Sequence, residues 1–229
     1  MATTAQSIIK NCVEIAQDKT SVRWPIDEVC QHFNWAQREV ASIRPDASQT
    51  RGNVSIVAGA KQTLPAGAVK MIDLHANASG KAMRLVSREV LDATAPTWRS
   101  SSASAPTSWM YDPRTPLVFE IYPPASGPTT VDGTYATVPA DIPVAAAGGT
   151  YTNVTGNLAL PDLFAGAVTD FILYRMYLKD TEYADAGQRA AGHYASAMTA
   201  LGAEVKGTAA VSPVVQSNPN HPSASRVVA

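Results

Sequence analysis

Apolar residues recur at three- and four-residue spacings at both ends of this chain and alternate through its middle. From about Thr4 to Asp18, the residues Ile8, Ile9, Cys12, Val13, Ile15 and Ala16 fall on one broad stripe, which predicts an amphipathic helix. A polar link, DKTSVR, leads to a second helix opening at Pro25, a residue suited to a first helical turn. Asp27 and Glu28 follow, where acidic side chains favour a helix N-terminus. Ile26, Val29, Cys30, Phe33, Gln37, Val40 and Ile43 form its stripe, and Pro45 ends it near Arg44. Two helices with a short link predict an antiparallel hairpin.

The period then changes. GNVSIVAG alternates, with Val54, Ile56 and Ala58 on one face; LPAG is a turn, and a strand follows through Val69, Met71 or Ile72, and Leu74. AMRLVSREVLDATAPTW reads as a short strand and one or two helical turns, with Ser87 as a candidate cap. RSSSASAPTS is an exposed loop. Two strands flank the DPRTP turn, with Leu117, Phe119 and Ile121 on one face, and TTVDGTYATVPADI supplies one more. Residues 52–142 therefore predict a sheet or small sandwich. After a Gly-rich loop, helix returns at Pro161, with Phe164, Val168, Phe171, Ile172, Arg175 and Leu178 on one side. A break is expected near Asp180 to Asp185. The last helix carries Tyr183, Gly187, Ala190, Ala191, Tyr194, Ala197, Met198 and Leu201, and Gly202 is read as its stop. Small residues on this helix allow close approach of another helix.

This order predicts an α+β fold: an antiparallel four-helix bundle formed by the N- and C-terminal helix pairs, with an inserted antiparallel β-sheet or sandwich lobe and an extended C-terminal tail. In residues, 1–48 is the N-terminal hairpin, 49–157 the β lobe and loops, 158–202 the C-terminal helix pair and 203–229 the arm. The arm has prolines at 213, 219 and 222 and many small polar residues, so it cannot pack a core alone. It keeps valines that a purely solvating tail would not need. Val211, Pro213, Val214, Val215, Arg226, Val227 and Val228 are therefore the candidate partner-binding residues, expected to take order on a neighbour.

Composition narrows the function. The chain has 229 residues, 45% hydrophobic and only 16% charged, with net charge −1. That balance leaves neutral surface for other subunits and gives no general attraction to phosphate backbones. The two cysteines, Cys12 and Cys30, lie at apolar helical positions and read as buried, reduced thiols; a disulfide would need an oxidising compartment, and a metal site would need a Cys/His cluster. The N-terminal stretch has no secretion-signal pattern, and no run approaches the roughly 20 apolar residues that span a bilayer. The chain is expected to stay in a cytosol or to be assembled there.

Catalytic signals are weak. No serine has the nucleophile-elbow glycines, and no P-loop spacing exists. His32 and His193 lie on helices, His75 near a strand end and His221 in the arm, without evident catalytic partners. Among the 19 acidic residues no pair stands in a context that would raise a pKa. Trp24, Trp35, Trp98 and Trp109 read as core anchors, with a sugar-binding platform on the β lobe as the other possibility. Neither a cofactor nor a metal is expected.

Several phrases in shared order resemble phage head-to-tail adaptor proteins of the tail tubular protein A-like group. RWPIDEVCQHFNWAQREVASIRPDA is similar to their second-helix signature through Trp24, Asn34 and Arg44 to Ala47, although Val29-Cys30 and His32-Phe33 stand where Leu-Leu and Trp-Leu are usual. VAGAKQTLPAGAVKMIDLHAN resembles the next element, ending in Asn77. Trp98, Asp112, Pro116, Phe119 and Pro123-Pro124 match the β-lobe signature, and Arg175, Lys179-Asp180, Tyr183, Arg189-Ala190 and His193-Tyr194 match the closing helices. The likeness covers about residues 5–202. It implies a structural, non-enzymatic virion protein of the neck or tail, assembled in the bacterial host cytoplasm. It further implies a homo-oligomeric ring, usually of twelve copies, beneath the portal protein. Such a ring receives the tail or nozzle protein and leaves a lumen through which DNA passes without specific binding; no membrane is involved. Two competing readings are a carbohydrate- or receptor-binding virion module, resting on the β lobe and Trp109, and a cell-wall-degrading enzyme.

Overall fold

The computed structural model describes the backbone of residues 3–180 and 184–211, with side chains as far as Gly202. The elements in chain order are α1 (Ala5–Ile15), α2 (Ile26–Ile43), β1 (Gln49–Ile56), β2 (Gly59–Thr63), β3 (Ala68–Asn77), β4 (Arg84–Leu85) and α3 (Arg88–Thr94). There follow β5 (Ser108–Tyr111), β6 (Val118–Ala125), β7 (Thr129–Thr137), α4 (Ala165–Lys179) and α5 (Ala186–Val211). They form two compact units. One holds the residues up to Ser48 with Pro139–Val211, and the other is Gln49–Val138.

In the helical unit, local chemistry sets the helix ends. Thr4 caps α1 by accepting the Ser7 N–H at 3.2 Å. Asp18 is buried and accepts the backbone N–H groups of Val22, Arg23 and Trp24, at 3.1, 2.9 and 2.9 Å. One carboxylate thus folds the link that the sequence marks only as polar. α2 stops at Ile43, before Arg44 and Pro45. α4 is the shared element, against which α5, α2 and α1 all lie. Ile9 of α1, Ile26 and Phe33 of α2, and Phe171, Ile172 and Leu173 of α4 are among the unit's fully buried side chains. Ile15 and Leu178, placed on the apolar stripes by spacing, are instead about half exposed, because the stripes are narrower than the helix pattern allows.

The β unit is two sheets sharing one apolar core. β1, β7 and β3 form an antiparallel three-stranded sheet in that order, and β2, β6, β5 and β4 form the second. Val54, Ile56, Met71, Leu74 and Val131 from the first meet Trp109, Phe119 and Ile121 from the second. Gly133 is required here: a Cβ at this position would lie 2.6 Å from Leu74 Cδ2 and 3.3 Å from the Asp73 carbonyl. The expected antiparallel pairing needs one correction, since β4 runs parallel to β5. The segment between them, containing α3, is the crossover a parallel pair requires. β2 was not foreseen, because its one fully buried side chain is the polar Gln62, whose amide holds Val57 and Gly59. Leu117, expected on the inner face, precedes β6 and is 47% exposed.

α5 does not stop at Gly202. It continues to Val211, with Gly202 in helical rather than left-handed backbone. A glycine ends a helix when the chain turns into the left-handed region there. In this chain it does not.

Candidate functional site

Two residues that carry the family resemblance, Asn34 and Asn77, hold the chain's own loops. Asn34, buried in the middle of α2, donates from Nδ2 to the Ile142 carbonyl at 3.0 Å and accepts the Ile142 N–H at 2.8 Å. One turn further on, Gln37 accepts the Ala159 N–H at 2.7 Å and donates to the Ala140 carbonyl at 3.3 Å. These two amides fasten the irregular segment between β7 and α4 against the helices. A loop whose backbone is buried needs such partners. Asn77 does the same in the β unit, donating to the Pro106 carbonyl and accepting from Ser79 and Lys81.

A second set of signature residues ties the start of α2 to the end of α4. Trp24 donates its indole N–H to the Met176 carbonyl at 2.9 Å and meets the Tyr177 ring edge-on at 6.0 Å. Ion pairs join Arg23 to Asp180 and Lys179 to Glu28. His193 on α5 stacks on Tyr177, and its Nδ1 lies 2.9 Å from Asp170, whose other oxygen accepts the Ser196 hydroxyl at 2.7 Å. At the far end of α2, Arg44 is nearly buried; it pairs with Asp46 and donates to the Leu201 carbonyl at 3.3 Å, holding α5. The Arg44 hydrogen bond holds the Asp46 carboxyl below its ordinary range. A carboxylate with a depressed folded pKa adds stability above its unfolded value, about 3.9, and loses it as pH falls through the folded one. The stability gap between wild type and Asp46→Asn should therefore stay constant from neutral pH down to about pH 5 and close below about pH 4; urea titrations across that range check it.

Among the described residues of the helical unit, an aromatic face and one side of α5 are exposed. Trp35, Tyr174 and Tyr194 form a half-exposed row across α2, α4 and α5. The Trp35 to Tyr174 centroid distance is 6.3 Å, and Tyr174 to Tyr194 is 5.2 Å. The Arg175 guanidinium lies 3.8 Å from the Trp35 centroid. Next to them, burial, assisted by the charges of Arg175 and Lys179 and opposed by Glu28, pushes the His32 imidazole below its usual pKa. Tyr194 and Met198 are 39% and 37% exposed. The outer side of α5 carries Gly187, Ala191, Gly192, Ala195 and Thr199, all exposed. A Cβ added at Gly187 or Gly192 would meet nothing within 4 Å. Among the described residues no neighbour explains those glycines.

Of the candidate partner-binding residues, Val211 is the last residue of α5. Pro213, Val214, Val215, Arg226, Val227 and Val228 lie outside the described residues, as does His221. The candidate chemistry does not converge. Cys12 and Cys30 are free and buried, and burial raises both thiol pKa values, Cys12 most, with the Asp170 charge adding to its rise. The carboxylates of Asp46, Asp92, Asp112, Asp132 and Asp162 are all held low, beside an arginine, the Trp98 indole or the Thr3 backbone N–H, which is the opposite of a general acid. His75 meets Thr134 Oγ1 at 2.7 Å. Trp109 is 3% exposed and presents no ring face to a sugar, which removes this residue as the platform of the carbohydrate reading. Among the described residues no group of three His, Cys, Asp or Glu could hold a metal, and no helix is long and apolar enough to cross a membrane.

No curated protein matches the chain. A family model does, over residues 3–221, so the match runs through both the helical and the β residues. Its description, SU10 adaptor protein, agrees with the sequence resemblance at the level of a phage adaptor, under a different family heading from the tail tubular protein A-like group. With matched residues spanning nearly the whole chain, this chain belongs to the SU10 adaptor protein family and is a phage adaptor, a structural component of the virion.

Proposed function

We propose that the protein is a head-to-tail adaptor whose working form is a closed ring of about twelve copies, docked beneath the portal protein and receiving the tail or nozzle protein below. Its four long helices act as an antiparallel four-helix bundle, and the bundles of neighbours stand side by side. The β lobe faces the next tail component, and the arm of residues 203–229, helical as far as Val211, reaches the portal, with the part beyond Val211 taking its order there. Assembly takes place in the host cytoplasm, and no catalytic step is involved. A net charge of −1 suits a lumen through which DNA slides without being held. The observation that carries this reading is the exposed side of α5 between Ala186 and Gly202, a stretch whose one Lys, Arg, Asp or Glu is Arg189 and which is punctuated by glycines with open space around them, on a chain of an adaptor family.

The mass of the purified chain, alone and mixed with portal, tests the ring. A monomer in both mixtures, or virions that retain their genome and join tails without this chain, would overturn it. A substitution sharpens the test. Glycine inside an exposed helix costs about 1 kcal/mol relative to alanine, so Gly192→Ala should raise the thermal stability of the isolated chain. If a neighbour's helix approaches closely there, Gly192→Leu should block ring formation while leaving that chain folded. Unimpaired assembly would remove α5 as the contact. For the arm, cross-links from residues 203–229 only to their own subunit would overturn the portal contact.

A further inference from the structure

The β unit has an open groove of about 920 Å³, lined by residues 84–90 of β4 and α3, by Ser108, Met110 and Tyr111 of β5, and by the turn Asp112 to Arg114. Three features of it point the same way. First, β4 is two residues long, and its register covers only Ser108 and Trp109. Met110 and Tyr111 are paired with β6 on one side and have no strand on the other among the described residues. Such an edge is a template for one more strand. Second, Leu85 and Val90 stand beside it 54% and 55% exposed. Third, the charges are layered. Arg88 pairs with Glu120 at 3.0 Å and Arg114 with Asp112 at 3.0 Å, but the arginine side chains are 49% and 89% exposed while their carboxylates are only 18% and 25% exposed. Arg84 is exposed as well. The groove therefore shows guanidinium groups outward over sunken carboxylates, with Glu89 as its exposed acid.

We propose that this groove takes an extended, acidic segment of another virion protein, added as a strand along β5 with its carboxylates against Arg84, Arg88 and Arg114. The proposal rests on the reading that the β unit meets the next virion component. The occupant is not this chain's own C-terminal segment, because residues 212–229 contain no aspartate or glutamate and do contain Arg226. A peptide fits better than a nucleic acid, because the site pairs a free strand edge and aliphatic side chains with its cations.

The test uses the full chain and a fluorescent peptide of about nine residues alternating valine and glutamate. Its lysine counterpart, a version N-methylated at alternate amides, and a short duplex DNA are the controls. We expect the glutamate peptide to bind at least about tenfold tighter than either peptide control and to slow amide exchange at Tyr111. Arg84→Glu with Arg114→Glu, and separately Leu85→Ser, should each weaken binding about tenfold without changing the circular dichroism, since all three side chains are exposed. Equal binding of the lysine or N-methylated peptide, no peptide binding, unchanged affinity in the variants, or displacement by the duplex would overturn it. A ring that forms normally but binds no peptide would sink the groove alone and leave the adaptor reading standing.

Discussion

Trp24→Ala is expected to destabilise the helices by about 3–5 kcal/mol, the cost of emptying a large buried aromatic site. The residue is 3% exposed at the point where α2 begins and α4 ends. Its loss removes three things together: the ring against Tyr177, the indole hydrogen bond to the Met176 carbonyl, and the surface on which the Arg23 guanidinium lies 4.8 Å from the ring centroid. Trp24→Phe separates them. It keeps most of the apolar volume and gives up the N–H, so the loss should fall to about 1–2 kcal/mol. Urea unfolding followed by far-ultraviolet circular dichroism reads both. A Trp24→Ala loss under about 1 kcal/mol would show that this junction is not an anchor.

The second large effect is expected at Asn34. Leucine has the same branched shape and is somewhat bulkier, so Asn34→Leu leaves no cavity, but it strands the buried N–H and C=O of Ile142 without their partners. Two orphaned backbone groups cost about 2–4 kcal/mol together. The loss should be accompanied by faster amide exchange at Ile142, and also at Ala159 if the segment lifts far enough to break its bond to Gln37. Gln37→Leu should give a smaller loss of the same kind, because one of its two bonds is long, at 3.3 Å. If Asn34→Leu matched wild type in stability while Ile142 stayed protected, some other group would be holding that segment.

These two residues show where legibility ended. The spacing of Ile26, Val29, Phe33 and Val40 predicts α2 and its inward face, because a helix repeats locally and burial repeats with it. Asn34 falls on that same face. Nothing within a few residues of it says that a polar side chain there answers Ile142, 108 positions away. Its place in the family signature marked it as notable without giving its task. Gly202 is the reverse case: a residue type that often stops helices, in a stretch where nothing forces the chain out of helix. The β2 strand was missed because a five-residue element with a buried glutamine does not alternate in the usual way. The bare side of α5 was visible as small residues in the sequence, but only the empty space around Gly187 and Gly192 separates an exposed glycine from one packed inside the chain.

By itself, the sequence determined the helix stripes and their starts at Thr4 and Pro25, the alternation of the β strands, the near-zero net charge and the phage-adaptor likeness, since each depends on neighbouring residues or on composition. Only the tertiary structure decided which strands pair, that β4 lies parallel to β5, which buried amides hold which loops, and which surfaces stay open. Those outcomes depend on groups far apart in the chain, each needing a partner once water is excluded, and local periodicity carries no record of such pairings.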